Sequence, residues 1–155
     1  MRKVLPVAVA GLPGILVVAA ALLAWAPAAR DLPTYFTPLR QRTAAVLTGH
    51  APLFWNEQTG CGEPYFANPQ TGIAYPPAWS ALILPAGRAV GLEVGFHLAL
   101  LGMGSYVLAR RLGADRWLAA AAGLGVACSG PVAGASGVLN NLATIGTMGS
   151  GLLYF

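Results

Sequence analysis

The chain opens with an apolar run from Val4 to Ala29 that holds no charged residue and follows Arg2 and Lys3 directly. About 20 apolar residues span a bilayer as a helix, so this run predicts a first membrane crossing over 4–29. Pro6 and Pro13 fall inside it, and a kink near Pro13 is expected. A second apolar stretch predicts a crossing over 89–109, ended by the basic turn Arg110-Arg111-Leu112-Gly113-Ala114-Asp115-Arg116. From Trp117 onward no charge occurs, which predicts a third crossing over 117–138. Residues 139–155 read as interfacial, re-entrant or the start of a fourth span, with Leu139-Asn140-Asn141 as a turn. The expected fold class is therefore all-α transmembrane: about three membrane-spanning helices in a single membrane region, with a large ordered first loop over 30–88.

Composition agrees with this pattern. Charged residues make up 9% of the chain, against about 25% in ordinary soluble domains, too few to clothe a water-facing shell. The net charge of +4 comes from arginines and a lysine gathered beside apolar runs. No basic stripe interleaved with aromatics is present, which argues against a nucleic-acid partner. Positive charge in short loops marks the cytoplasmic side, so the amino terminus and the 110–116 turn belong inside and the loop 30–88 outside. A cleaved signal peptide is the alternative for the first run, although signal cores of about 7–15 apolar residues are shorter than this one.

The stretch Asp31 to Pro77 is too rich in Trp, Tyr, Phe and Pro for a flexible linker and too polar for hydrocarbon. Asp31 follows the first run almost at once, where a carboxylate can accept a proton from a hydroxyl or hold a divalent cation against phosphate. A helix cap or a partner for Arg30 is its plainer role. Glu63 is a second carboxylate candidate, and Glu57 reads as a solvated loop charge. His50 is either a proton carrier or a turn residue. Glu93 and His97 stand four residues apart, on one helical face, and ionisable groups inside an apolar helix point to function by default; a structural Glu–His pair is the alternative. Tyr75 and Trp79 suit an interfacial belt, whereas Trp55 and Tyr65 suit a sugar or lipid site.

Phosphate loops, serine elbows and HExxH zinc helices are missing. Cys61 and Cys128 allow a disulfide in an oxidising compartment, and no pair of Cys or His residues has zinc spacing.

The set Pro52-Leu53-Phe54-Trp55-Asn56, Gly60-Cys61-Gly62-Glu63-Pro64, Ala67-Asn68-Pro69-Gln70 and Tyr75-Pro76-Pro77, placed after an early Asp, resembles the YfhO-like bacterial membrane proteins. These are similar to the GT-C glycosyltransferases. The resemblance continues through His97 to Tyr106, Arg110 to Gly113, Ser129-Gly130 and Leu139-Asn140. The Gly-rich stretch from Gly146 departs from the family pattern.

The resemblance implies a multi-pass protein of the bacterial plasma membrane that transfers a sugar from a polyprenyl-phosphate donor to an extracytoplasmic cell-envelope acceptor. The catalytic or metal-linked acid maps onto Asp31, with Arg40, Trp55, Glu63, Tyr65 and His97 as substrate-binding candidates and a divalent cation as the only cofactor in view. Arg40, Arg42 or Arg88 would neutralise the departing phosphate. The resemblance also implies further spans, so the chain is expected to be the amino-terminal part of a larger protein. Two other classes stay open. In a transporter or flippase component Glu93 and His97 would carry the function; in a non-catalytic assembly protein the loop would bind a partner.

Overall fold

The computed structural model describes residues 4–23 and 25–151, with side chains described as far as Thr147. Arg2, Lys3 and the last four positions of the expected fourth segment lie outside the described residues. The described chain is mostly helical, and its strands are two residues each.

The first apolar run forms two helices, α1 (Leu5–Ala10) and α2 (Leu12–Leu22), broken at Gly11. Pro13 lacks an N–H and its ring opposes the carbonyl four residues back, so it sits in the first turn of a new helix rather than bending one helix at its own position. Helix ends at Leu22, and residues 25–28 have no regular structure, short of the expected boundary at 29. Pro27 limits the chain ahead of it to extended geometry.

The segment expected as a loop contains a helix. A π-turn over Leu32–Phe36 leads into α3 (Thr37–Leu47). Next comes a hairpin of β1 (Trp55–Asn56) and β2 (Glu63–Pro64), antiparallel with Asn56 opposite Glu63. Two 3-10 turns, Pro69–Thr71 and Pro76–Leu82, complete the segment.

Helix α4 (Ala86–Arg111) is the single described helix long and apolar enough to cross a membrane by length and composition. It begins earlier than the expected span and includes Arg110 and Arg111, which complement the negative end of the helix dipole. The expected third crossing is divided into α5 (Arg116–Ala127) and the short α6 (Gly130–Ala135). Pro131, at the start of α6, cannot continue α5. Asp115 caps α5 by accepting from the N–H groups of Trp117 and Leu118 at 2.8 and 3.2 Å. Those bonds hold its carboxyl below the usual carboxylate range. Residues expected as an interfacial turn instead open α7 (Leu139–Gly151).

Helices α1 and α2 run antiparallel to α4 along a seam of small residues. A Cβ on Gly14 would strike the backbone of Ala99 and Gly95. One on Gly102 would strike the Ala10 carbonyl, and one on Gly123 of α5 would strike the Gly102 carbonyl and meet Ala10 Cβ at 2.8 Å. Three helices therefore cross backbone to backbone at Ala10, Gly102 and Gly123. Beside the seam, Leu32, Phe36, Val90, Val94, Leu98, Leu101, Val132, Leu139 and Leu142 form one apolar core joining α4, α7 and the π-turn.

Gly14→Ala is expected to destabilise the protein by about 1–3 kcal/mol, the range for overpacking, because the obstruction is backbone that cannot turn aside. Gly125→Ala, whose Cβ meets nothing within 4 Å, should be neutral or stabilising by about 0.5–1 kcal/mol. Thermal unfolding of the two purified variants checks the pair.

Candidate functional site

The inner face of α3 carries Leu39, Arg40 and Thr43, all buried. Arg40 is 3% exposed and meets Glu93 of α4, which is 0% exposed, in a two-pronged ion pair. Nε donates to Oε1 at 2.6 Å and Nη2 to Oε2 at 3.0 Å. The remaining nitrogen, Nη1, donates to the Thr71 carbonyl at 2.7 Å and the Gln70 carbonyl at 3.2 Å. The planar fork of Arg fits a carboxylate in this way, and all its nitrogens are engaged. Gly72 follows with φ 64, and a Cβ there would press on the guanidinium at 3.2 Å.

Thr43 extends the network. Its hydroxyl lies 2.9 Å from the Thr71 carbonyl, 2.9 Å from the Leu39 carbonyl and 2.7 Å from the Tyr65 hydroxyl. Carbonyls only accept, so the Thr43 proton goes to a carbonyl and Tyr65 donates to Thr43. Burial raises the Tyr65 hydroxyl above its ordinary value against the opposing effects of Thr43 and the two arginines, keeping it a donor.

His97 is 0% exposed and is oriented from both sides. Nδ1 lies 2.7 Å from the Glu93 carbonyl and must carry the proton, so in the neutral ring Nε2 accepts from the Tyr75 hydroxyl at 2.6 Å. Burial first, and the Glu93 charge second, raise the Tyr75 hydroxyl above its ordinary value, consistent with donation. Glu93 and His97 share a face as their spacing predicts, but the Glu93 side chain pairs with Arg40 and only its backbone meets the histidine. Tyr75, expected in an interfacial belt, is a packing and hydrogen-bonding partner of His97, with ring centroids 5.8 Å apart.

Above this network lies a cavity of about 390 Å3. One wall is Arg40, Gln70, Tyr75 and Glu93; the other is α7, with Asn140 and Thr144 facing it. The spacing of Asn140, Thr144 and Thr147 places one polar stripe on α7 toward the opening, a periodicity concealed in sequence by the surrounding glycines and apolar residues.

Asp31 stands apart from that cavity. Its carboxylate is exposed and makes no hydrogen bond or ion pair among the described residues. Its backbone is fixed: the N–H donates to the Gly137 carbonyl at 3.2 Å, and Arg30 before it has φ 48. A left-handed conformation at a non-glycine residue stores strain that the surroundings must hold. Here Gly137 leaves room for the Arg30 side chain, which a Cβ would meet at 2.7 Å. A divalent cation needs several oxygen ligands, and no three His, Cys, Asp or Glu side chains gather among the described residues. Asp31 alone does not fit such an ion.

The other candidates are distributed. Trp55 is 46% exposed and rests on Gly62, where a Cβ would meet the indole at 2.5 Å. Glu63 accepts weakly from Asn56 at 3.4 Å. His50 is exposed, its Nδ1 at 2.9 Å from Thr48 Oγ1. Trp79 donates to the Ile73 carbonyl at 2.9 Å. Arg88 binds the Ala21 and Leu22 carbonyls and so closes the end of α2. Cys61 and Cys128 are exposed free thiols, not a disulfide.

Glu93→Gln is expected to destabilise the protein by about 3–5 kcal/mol, since it leaves Arg40 charged and buried. Replacing both partners, Arg40→Met with Glu93→Leu, should cost less than either single change. A double-mutant cycle on unfolding free energies checks the coupling.

No family model matches this chain, and neither does any curated protein or solved structure.

Proposed function

We propose that the chain is a membrane-embedded, glycosyltransferase-like protein that moves a sugar from a polyprenyl-phosphate donor to an extracytoplasmic cell-envelope acceptor. It sits in the bacterial plasma membrane with its amino terminus inside and residues 30–88 outside. Support for the bilayer comes from the length and composition of α4 and from large apolar side chains left exposed on neighbouring helices, including Leu12, Ile15, Leu16 and Leu118.

The observation that carries the enzymatic reading is the state of Asp31. Its carboxylate has no partner among the described residues, and its backbone follows the strained Arg30 and is held by the Gly137 carbonyl in the turn that precedes α7. Such a group serves as a general base. It takes the proton of an acceptor hydroxyl as that oxygen bonds to the anomeric carbon, and the bond from that carbon to the donor phosphate breaks, the electron pair leaving with the phosphate. Orientation of donor and acceptor supplies the rest of the rate. Glu93 and His97, on which the transporter reading depends, are both engaged in fixed contacts, which lends that reading less support.

Asp31→Asn, in the protein expressed from its source gene, should lower sugar transfer to the envelope by at least about 100-fold, the lower end for a lost general base. Its yield in the membrane fraction should be unchanged. Transfer at the parental rate by this variant overturns the reading.

A further inference from the structure

We infer that Arg42 forms an oxyanion-binding site in the 30–88 segment, taking a phosphate or carboxylate group. Of the three arginines that sequence offers for an anion, Arg40 is neutralised by Glu93 and Arg88 is bound to the end of α2. Arg42 differs from both. It is 6% exposed, yet no carboxylate pairs with it among the described residues. Nη2 donates to the Trp55 carbonyl at 2.6 Å and the Pro52 carbonyl at 3.3 Å, and the guanidinium lies 5.2 Å from the centre of the Tyr65 ring. Nε is sealed from solvent with no partner among the described residues. Nη1 makes no hydrogen bond among the described residues and is not among the sealed atoms, so it is the nitrogen left accessible.

A buried cation without a counter-charge is expensive, and carbonyls and an aromatic face offset only part of that cost. The space for a counter-charge is at hand. Arg42 borders two neighbouring cavities of about 370 and 330 Å3, which share Pro38 and Gln58. The larger adds Thr34, Tyr35 and Thr59 as hydrogen-bonding groups, and the smaller adds His50. Glu63 also borders the larger cavity and opposes an anion there, but it lies beyond ion-pair distance of Arg42. Its negative charge makes the site weak and gives it a diagnostic. The hairpin and α3 build the site without Asp31, so it holds whether or not the chain transfers sugar.

Titration of the full chain, in a neutral detergent without sugar groups, with inorganic phosphate followed by calorimetry tests the site. Saturable binding is expected, strengthened several-fold by Glu63→Gln and reduced at least tenfold by Arg42→Gln. Where Arg42→Gln fails to fold by near-ultraviolet circular dichroism, the Glu63→Gln arm decides. No saturable binding by the parent protein, or binding that Glu63→Gln leaves unchanged, overturns the proposal. Phosphatidylglycerol added to the phosphate-saturated protein separates the sources of the group. Displacement of phosphate supports a site open to lipid headgroups, and phosphate retained supports one restricted to soluble anions.

Discussion

The ion pair between Arg40 and Glu93 is the constraint around which the rest of the molecule is arranged. Two charges withdrawn from water are tolerated only when nearly every donor and acceptor is met, and here the guanidinium is surrounded by a carboxylate and two carbonyls. Those four bonds join α3, the 3-10 turn at Gln70 and Thr71, and α4. Such a pair adds little net stability compared with an apolar contact of the same shape. Its effect is geometric, since α3 can rest on α4 in only one register if both prongs of the fork are to be filled.

Around that lock, two kinds of packing divide the labour. Helices α1, α2, α4 and α5 meet through glycine and alanine, which bring backbones together at Ala10, Gly102 and Gly123 and leave no room for adjustment. The 30–88 segment meets them through the apolar anchor of Leu32 and Phe36 and through polar contacts, in which Thr43, Tyr65, Tyr75 and His97 each have a partner whose role follows from proton count. A rigid helical base and a hydrogen-bonded platform follow. On the proposed reading, the platform holds polar substrates above the bilayer while Asp31, at its edge, keeps its carboxylate unengaged.

The helical class and the centre of α4 were legible in sequence because a long uncharged run is a strong signal. The division of the other apolar runs was not, since Gly11 and the Ser129-Gly130-Pro131 step act through local backbone geometry that hydropathy averages away. Helix α3 escaped notice because Thr37-Pro38-Leu39-Arg40-Gln41-Arg42 reads as polar loop. Its arginines point inward only because Glu93 and the hairpin carbonyls await them. Spacing placed Glu93 and His97 on one face correctly but could not reveal that the partner of Glu93 lies 53 positions earlier. Arg42 was visible merely as one of three equivalent cations. Its distinction is burial without a carboxylate partner among the described residues, which no linear pattern records.

The most direct measurement is hydrogen–deuterium exchange of the full chain followed peptide by peptide. If the 30–88 segment is a platform locked to α4, amides of Thr37–Leu47 and of 65–82 will exchange slowly and open together with the first half of α4. Exchange of those peptides at the rate of an unfolded chain, while α4 remains protected, would contradict the lock and the site built upon it.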